Sequence, residues 1–315
     1  MSLITIFTSP KPFTKSEHIA TIQRNAIVSW TQLGDDVRVL MIGDEEGMAE
    51  AAAELGVLHV REVRTNRMGT PLIPAMFDIA RERTDSPILA FANADVILTD
   101  SLIQSVKMVM AQERDFLLVG QRYDIAIDTP IDFNDGWQVR LMALNQAIGR
   151  LHGPYGSDYF VFPRQCFIDV PDLAIGRAGW DNWMIYEARQ RGWKTIDCTE
   201  TIIALHQNHD YSHLPGGQVH YRLPESNENV QAAGGFLHIF PLTDANWSMG
   251  EGGIDRQPMT WQRFWREVEI VPLVHWHSEL LGKLFHYCLH PKRGWEAVKG
   301  WLARKFHRTG RTQEE

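Results

Sequence analysis

The chain has 315 residues, enough for one large α/β domain or two modest ones around a sizeable core. It is 44% hydrophobic and 22% charged, ordinary for a soluble globular protein, and a net charge of −8 excludes a nucleic-acid binder held by bulk electrostatics. Three scattered cysteines, Cys166, Cys198 and Cys288, make neither a disulfide framework nor a metal-ligand spacing, so a reducing cytoplasm is the expected compartment.

The opening stretch, MSLITIFTSPKPF, lacks a basic region followed by an apolar one and does not read as a signal peptide. No apolar run reaches the roughly 18 residues that a membrane-spanning helix needs. Leu3 to Phe7 reads as a strand that stops at a proline-restricted segment, Thr8-Ser9-Pro10-Lys11-Pro12. Ser16 to Gln32 has helical spacing of Ile19, Ile22, Ala26, Ile27 and Trp30. Asp36 to Ile42 is a second strand, ending at Gly43-Asp44-Glu45-Glu46-Gly47, and MAEAAAELG is a short helix closed by Gly56. Val57 to Val63 is a third strand, Thr70 to Arg83 a helix with Pro71 in its first turn, and Pro87 to Ala92 a fourth strand.

Strand and helix thus alternate through the first 95 or so residues, which predicts a mainly parallel sheet with helices on both faces. Ligands of such sheets bind beyond the carboxyl ends of the strands. Three of those ends carry polar groups here: Thr8-Ser9, Asp44-Glu45, and Asn93-Asp95 within LAFANADVILTD. Strand ends are also polar simply because loops are, so this convergence does not by itself define a site.

Further along, SLIQSVKMVMAQ reads as a helix, Phe116 to Gly120 as a strand, QVRLMALNQAIG as a helix and Tyr159 to Phe162 as a strand. Asp181 stands at or near the start of the helix NWMIYEARQRG, where an aspartate is a good cap. A strand from Thr201 to Leu205 leads into the histidine-rich LHQNHDYSH, in which His213 reads as a plain loop residue. Residues 218 to 258 read as irregular and glycine-rich, and 259 to 310 as two or three helices. These readings place a boundary near 216, with a nucleotide-binding and catalytic domain at 1–216 and an irregular, then helical, extension at 217–315.

Four stretches together resemble the GT-A glycosyltransferases, and among them the large inverting family 2: FANADVIL, MIGDEEG, NRMGTPLIPAMFDIA and GWDNWMIYEARQRGW. The resemblance spans roughly residues 3 to 215. It implies a GT-A fold with a C-terminal helical extension, and transfer of a sugar from a nucleotide-diphosphate donor, most commonly a UDP-sugar, to a hydroxyl of a glycan or lipid-linked glycan. Asp95 then corresponds to the family's metal-binding carboxylate, with Mn²⁺ or Mg²⁺ under the diphosphate, because hard oxygen ligands suit those ions. The family's first carboxylate is replaced here by Asn93, which removes a charge. His206 and His209 stand where a late histidine completes the metal site in several such families, and an imidazole would favour manganese.

The resemblance also implies that Asp181 is the general base of a single, inverting displacement. Its carboxylate at a helix start lies in a field that favours the ionised form. Donor contacts are expected from Thr8, Ser9, Pro10, Asp44, Arg67, Asn93, Gly156, Ser157 and Asp158, and Arg164 falls in the same pocket region. Trp180 and Trp183 are expected to stack on the acceptor sugar, although a tryptophan is more often plain core.

Two other classes compete with this reading. A nucleotidyltransferase needs a glycine-rich basic loop after the first strand, and TSPKPFTK has lysines but no glycine. A non-catalytic nucleotide-sugar-binding protein is favoured only by Asn93. Finally, residues 292–311 carry seven Lys and Arg against Glu296, with Trp295, Val298, Leu302 and Phe306 on one helical face. A basic amphipathic helix of this kind, spanning 291–311, reads either as a peripheral contact with an anionic membrane at its cytoplasmic face or as a terminal helix docked on the domain with its basic face solvated.

Overall fold

The structure, a computed structural model, describes residues 2–209 and 223–292. The elements of the first part are β1 (Ile4–Thr8), α1 (Glu17–Thr31), β2 (Val37–Ile42), α2 (Met48–Leu55), β3 (Leu58–Val60), α3 (Ile73–Arg83), β4 (Ile88–Ala92), β5 (Val96–Leu98), α4 (Ser101–Met110), β6 (Phe116–Val119), β7 (Tyr123–Ile125), α5 (Trp137–Ile148), β8 (Arg150–Leu151), β9 (Tyr159–Pro163), α6 (Trp180–Gln190), β10 (Lys194–Asp197) and β11 (Ala204–Gln207). There follow α7 (Pro224–Ala232), β12 (Trp247–Gly250), β13 (Gly253–Arg256), α8 (Trp261–Val274) and α9 (Glu279–Leu289). The chain divides into two compact units, Met1–Gln257 and Pro258–Glu315.

The first unit is the expected α/β architecture. Among the described residues its main sheet has nine strands in the order β13-β12-β10-β6-β9-β4-β1-β2-β3. Pairing is parallel through β4-β1-β2-β3 and β6-β10-β12, while β9 runs antiparallel between β4 and β6. β1 lies between β4 and β2, so the chain order reverses there and a crevice opens at the carboxyl ends.

Alternation along the strands divides the core. Ile4, Ile6, Ile88 and Ala90 join the cluster with Trp30 and Val106. Phe7 and Phe91 pack edge-on with Phe77 and Trp180 instead. Each such fully buried side chain contributes about 1.5–3 kcal/mol by leaving water. Helix α1 begins where Ser16 accepts the amide of Ile19.

A second sheet, β5-β11-β7-β8, holds the residues that matter most for the site. It was not evident from the sequence, where Thr201 to Leu205 reads as the one strand of a stretch that holds both β10 and β11. One other expectation is corrected. Residues 218–258 are not wholly irregular: they contain α7 and the hairpin β12–β13, whose strand β12 extends the main sheet from β10. The boundary expected near 216 lies outside the described residues. Helix α6 starts at Trp180, with Gly179 (φ +103°) as its cap, so Asp181 lies in the first turn, next to the cap.

Among the described residues no helix is long and apolar enough to cross a membrane. His213 and residues 293–311 of the expected basic terminal helix lie outside the described residues.

Candidate active site

The strand β4 ends at Ala92, and the next residues are set by two different neighbours. On one side β9 pairs antiparallel with β4, bringing Asp158 opposite Asn93, whose amide N–H donates to the Asp158 carbonyl at 2.9 Å. On the other, β5 pairs antiparallel with β11, which places His206 against Val96. The backbone amide of Gln207 donates to the Asp95 carbonyl at 3.1 Å. Gln207 is fully buried and anchored to α1, accepting from Asn25 and donating to the Ile22 carbonyl. The segment carrying both histidines is therefore fixed from beneath.

Asp95, His206 and His209 come together with their donor atoms within 4.8 Å of one another. Asp95 is 8% exposed. Its Oδ2 accepts from His209 Nε2 at 3.0 Å and lies 3.9 Å from the Lys11 ammonium. Its Oδ1 is buried with no hydrogen-bond partner and lies 3.9 Å from His206 Nε2. Burial works against its charge, but the His209 hydrogen bond and the charges at His206 and Lys11 hold the carboxyl well below the usual carboxylate range.

Asp95, His206 and His209 thus offer one carboxylate and two imidazole donors within reach of a single ion, and Oδ1 of that carboxylate is unpartnered. The residues fit a divalent ion with one hard oxygen and two borderline nitrogens, a mixture that suits Mn²⁺ better than Mg²⁺.

A second layer supports the histidines. β11 runs parallel to β7 with His206 beside Asp124, and the His206 Nδ1 lies 3.3 Å from Asp124 Oδ1, close but out of hydrogen-bond alignment. Asp124 also accepts from Arg122 and meets His152 Nδ1, both at 2.8 Å. Burial opposes its charge, but these partners keep Asp124 well below the usual carboxylate range. His206 in turn is raised, since Asp124 and Asp95 outweigh its burial. Lys11, Arg122, Asp124 and His152 were not singled out from the sequence. The only available signal was the alternation of Arg122 and Asp124, which puts both on one face of a strand.

Asn93 now has a physical role. Its side-chain amide donates to Asp158 Oδ1 at 2.6 Å, and Arg122 takes Asp158 Oδ2. An aspartate at 93 would set two carboxylates at hydrogen-bonding distance. Both oxygens of Asp158 are thus engaged by the protein, against the expectation that it serves sugar hydroxyls.

Asp181 lies in the first turn of α6 and is partly exposed. Burial, seconded by the charge of Asp158, pushes its carboxyl up to about 6, against the pull of the backbone amides of the turn. The helix field expected from the sequence is therefore present but outweighed.

A cleft of about 630 Å³ opens at the ends of β1, β2 and β3. Ser9, Gly43, Asp44, Arg61, Thr65 and Asp78 are among its walls. Gly43 has φ +127°, and a Cβ there would stand 3.4 Å from Ser9 Oγ, so only glycine keeps this wall open without strain. Asp44 is solvent-exposed and 3.4 Å from Arg61.

The remaining expected donor contacts are dispersed. Thr8 is buried at the end of β1 with its hydroxyl unpartnered, Pro10 is buried two residues on, and Ser157 is buried just before β9. Gly156 has φ +136° with open space around it. Arg67 points to Glu228, and Arg164 is spent on the carbonyls of Arg81, Thr84 and Ser86. Arg164 is a structural clamp, not a pocket residue. Trp180 and Trp183 are each 4% exposed, packed on Phe91, Phe160 and Phe167. Their faces are taken by the core, which corrects their expected role as acceptor platforms.

No protein-family model matches the sequence, and no curated protein does. Solved structures with a similar chain trace include the following three. Glucosyl-3-phosphoglycerate synthase from Mycobacterium tuberculosis, in complex with Mg²⁺ and uridine-diphosphate, is 15% identical with a TM-score of 0.44, over 74% of this chain and 80% of that one. The mannosyltransferase PcManGT from Pyrobaculum calidifontis, in complex with GDP-Man and Mn²⁺, is 12% identical with a TM-score of 0.40, over 64% and 56%. S. aureus TarS 1-349 is 14% identical with a TM-score of 0.30, over 40% and 36%.

Proposed function

We propose that the protein is a nucleotide-sugar-dependent glycosyltransferase of the GT-A type, transferring a sugar with inversion to a hydroxyl acceptor. The observation that carries this reading is the grouping of Asp95, whose buried Oδ1 is unpartnered, with His206 and His209 at the carboxyl edge of the sheet that also carries a nucleoside-sized cleft.

The residues divide the work as follows. The cleft at β1–β3 takes the nucleoside, with Asp44 placed for hydrogen bonds to base or ribose. Asp95, His206 and His209 would hold a divalent ion, Mn²⁺ or Mg²⁺, which would supply positive charge to the departing diphosphate. Lys11 brings an ammonium to the same point. Asp124, oriented by Arg122 and His152, keeps the His206 ring in place. Asp158 is held between Asn93 and Arg122 and raises the proton affinity of Asp181. Asp181 accepts the acceptor hydroxyl's proton as its oxygen attacks the anomeric carbon, and the bond to the diphosphate breaks on the opposite face. A base with a pKa near 6 is ionised at neutral pH yet basic enough to assist, the compromise that general-base catalysis asks for. The donor is proposed to be a UDP-sugar and the acceptor a glycan or lipid-linked glycan.

The test is a thermal-shift screen of nucleoside diphosphates and nucleotide sugars, with and without Mn²⁺. One nucleoside diphosphate should raise Tm in the presence of the ion, and its sugar adduct should be consumed when acceptors are supplied. Absence of any nucleotide-dependent shift overturns the reading.

A further inference from the structure

The second compact unit, from Pro258 onward, carries none of the site above. Its helices α8 and α9 pack antiparallel: Glu269 meets His286, and a Cβ on Gly282 would strike Leu273. Ile270, Leu273 and Val274 are buried on the inner side. The outer side is not what water selects. Trp261 is 75% exposed and Leu280 79%, and Phe264, Trp265, Trp276 and Leu284 are exposed as well. Trp261, Phe264 and Trp265 follow i, i+3, i+4 spacing, and their rings lie 5.4–6.0 Å apart as one exposed aromatic group. Leu280 and Leu284 form a second stripe one turn long on α9. A water-soluble monomer rarely exposes so contiguous an apolar surface without a partner.

The charge of the chain is distributed to match. Residues 258–315 hold ten of the 31 Lys and Arg but only six of the 39 Asp and Glu, a net of +4, which leaves 21 against 33, a net of −12, for the rest. Most of the excess follows α9 directly: residues 292–311 carry seven cations and one acid.

We propose that α8 and α9 form an interfacial membrane-binding element, lying on an anionic lipid surface with their exposed tryptophan, phenylalanine and leucine side chains between the headgroups. Aromatic rings favour that depth, since their apolar bodies leave water while indole N–H groups stay near polar partners. Neither helix is long or apolar enough to cross the bilayer, so the element lies on it. Apolar insertion together with adjacent cations is the two-part attraction that holds such elements to anionic lipid. A second copy of the chain fits less well, because a twofold contact through this face would set two net-positive units against each other. The inference is independent of sugar transfer and adds a place of action to it.

The experiment is flotation of the full chain with vesicles of phosphatidylcholine alone or with phosphatidylserine, repeated for Trp261→Gln/Leu280→Gln. These two side chains are the most exposed of the group, so the exchange leaves the fold intact, which circular dichroism checks. Wild type should float with phosphatidylserine vesicles and be released by salt, and the double variant should partition about tenfold less or weaker. No flotation of wild type, or undiminished flotation of the variant, overturns the proposal. So does a concentration-dependent dimer in sedimentation that the double substitution abolishes, which would assign the face to a second copy.

Discussion

Among the described residues two places gather a carboxylate and two histidines, and they differ in kind. Asp95 with His206 and His209 lies at the sheet edge; Glu269 with His286 and His290 lies between α8 and α9. The carboxylate side chains are equally buried, 12% and 9% exposed. At Glu269 every acceptor is used: Oε1 meets His286 at 2.6 Å and His290 at 3.2 Å, and Oε2 accepts from Arg266 at 3.0 Å. At Asp95 one oxygen is left with no partner. A buried acceptor costs about 1–3 kcal/mol when unsatisfied. The fold leaves one unsatisfied at Asp95 and none at Glu269. Residue types alone do not distinguish a site poised for a ligand from a latch; the state of the last lone pair does.

The sharpest way to break this contrast is Asp95→Ala. Turnover should fall by ~10³-fold or more, and calorimetry should show UDP binding that no longer responds to Mn²⁺. Retained Mn²⁺ dependence would put the ion elsewhere and erase the distinction. Next in size is Asp181→Asn, with kcat down about 10²-fold and nucleotide affinity intact. The wild-type pH–rate profile should rise through about pH 6 and level above it, and the variant should lack that limb. Stability moves the other way. A carboxyl raised in the folded state favours folding fully only below its unfolded pKa, and that contribution is lost as pH rises through the folded value. The amide mimics the neutral form, so at pH 8 the variant should be more stable by ~1–2 kcal/mol, discounted for partial exposure, in a denaturant titration. His206→Ala should then cost about tenfold in Mn²⁺ affinity, read by metal titration without substrate.

The strand–helix rhythm of the first hundred residues was legible because period and punctuation are local. The same holds for Asp95 at a strand end and for the histidines after a later one. What escaped was pairing. YFVFP is apolar throughout and announces neither that β9 runs antiparallel nor that Asp158 will face Asn93. β7 is three residues long, and Asp124 acquires its role only when β11 docks beside it, about 80 residues later in the chain. The tryptophans of α6 misled for a related reason: an aromatic side chain that stacks on a sugar and one that packs on Phe91 look alike until burial is known. Asn93 read as a donor contact that lacks the family's charge, whereas its amide donates to Asp158, where a carboxylate would need a proton to sit.

The smallest expected effect probes the closed cluster. Glu269→Gln should leave Mn²⁺ titration and nucleotide binding unchanged, because that carboxylate has no oxygen to offer. It should instead loosen α8 and α9, raising amide hydrogen exchange there by an amount equivalent to roughly 1–2 kcal/mol, the worth of charged hydrogen bonds less what an amide replaces. The pH sense is opposite to that at Asp181. Burial opposes the Glu269 charge, but His286 and Arg266 lower its carboxyl below the ordinary value. Its contribution is therefore present above the unfolded pKa and lost as pH falls through the lowered folded one. Wild type and Glu269→Gln should converge in exchange rate at acidic pH and differ at neutral pH. A variant that instead lost bound Mn²⁺ would show that Glu269 is a ligand, and that satisfied hydrogen bonds do not mark a carboxylate as closed to metal.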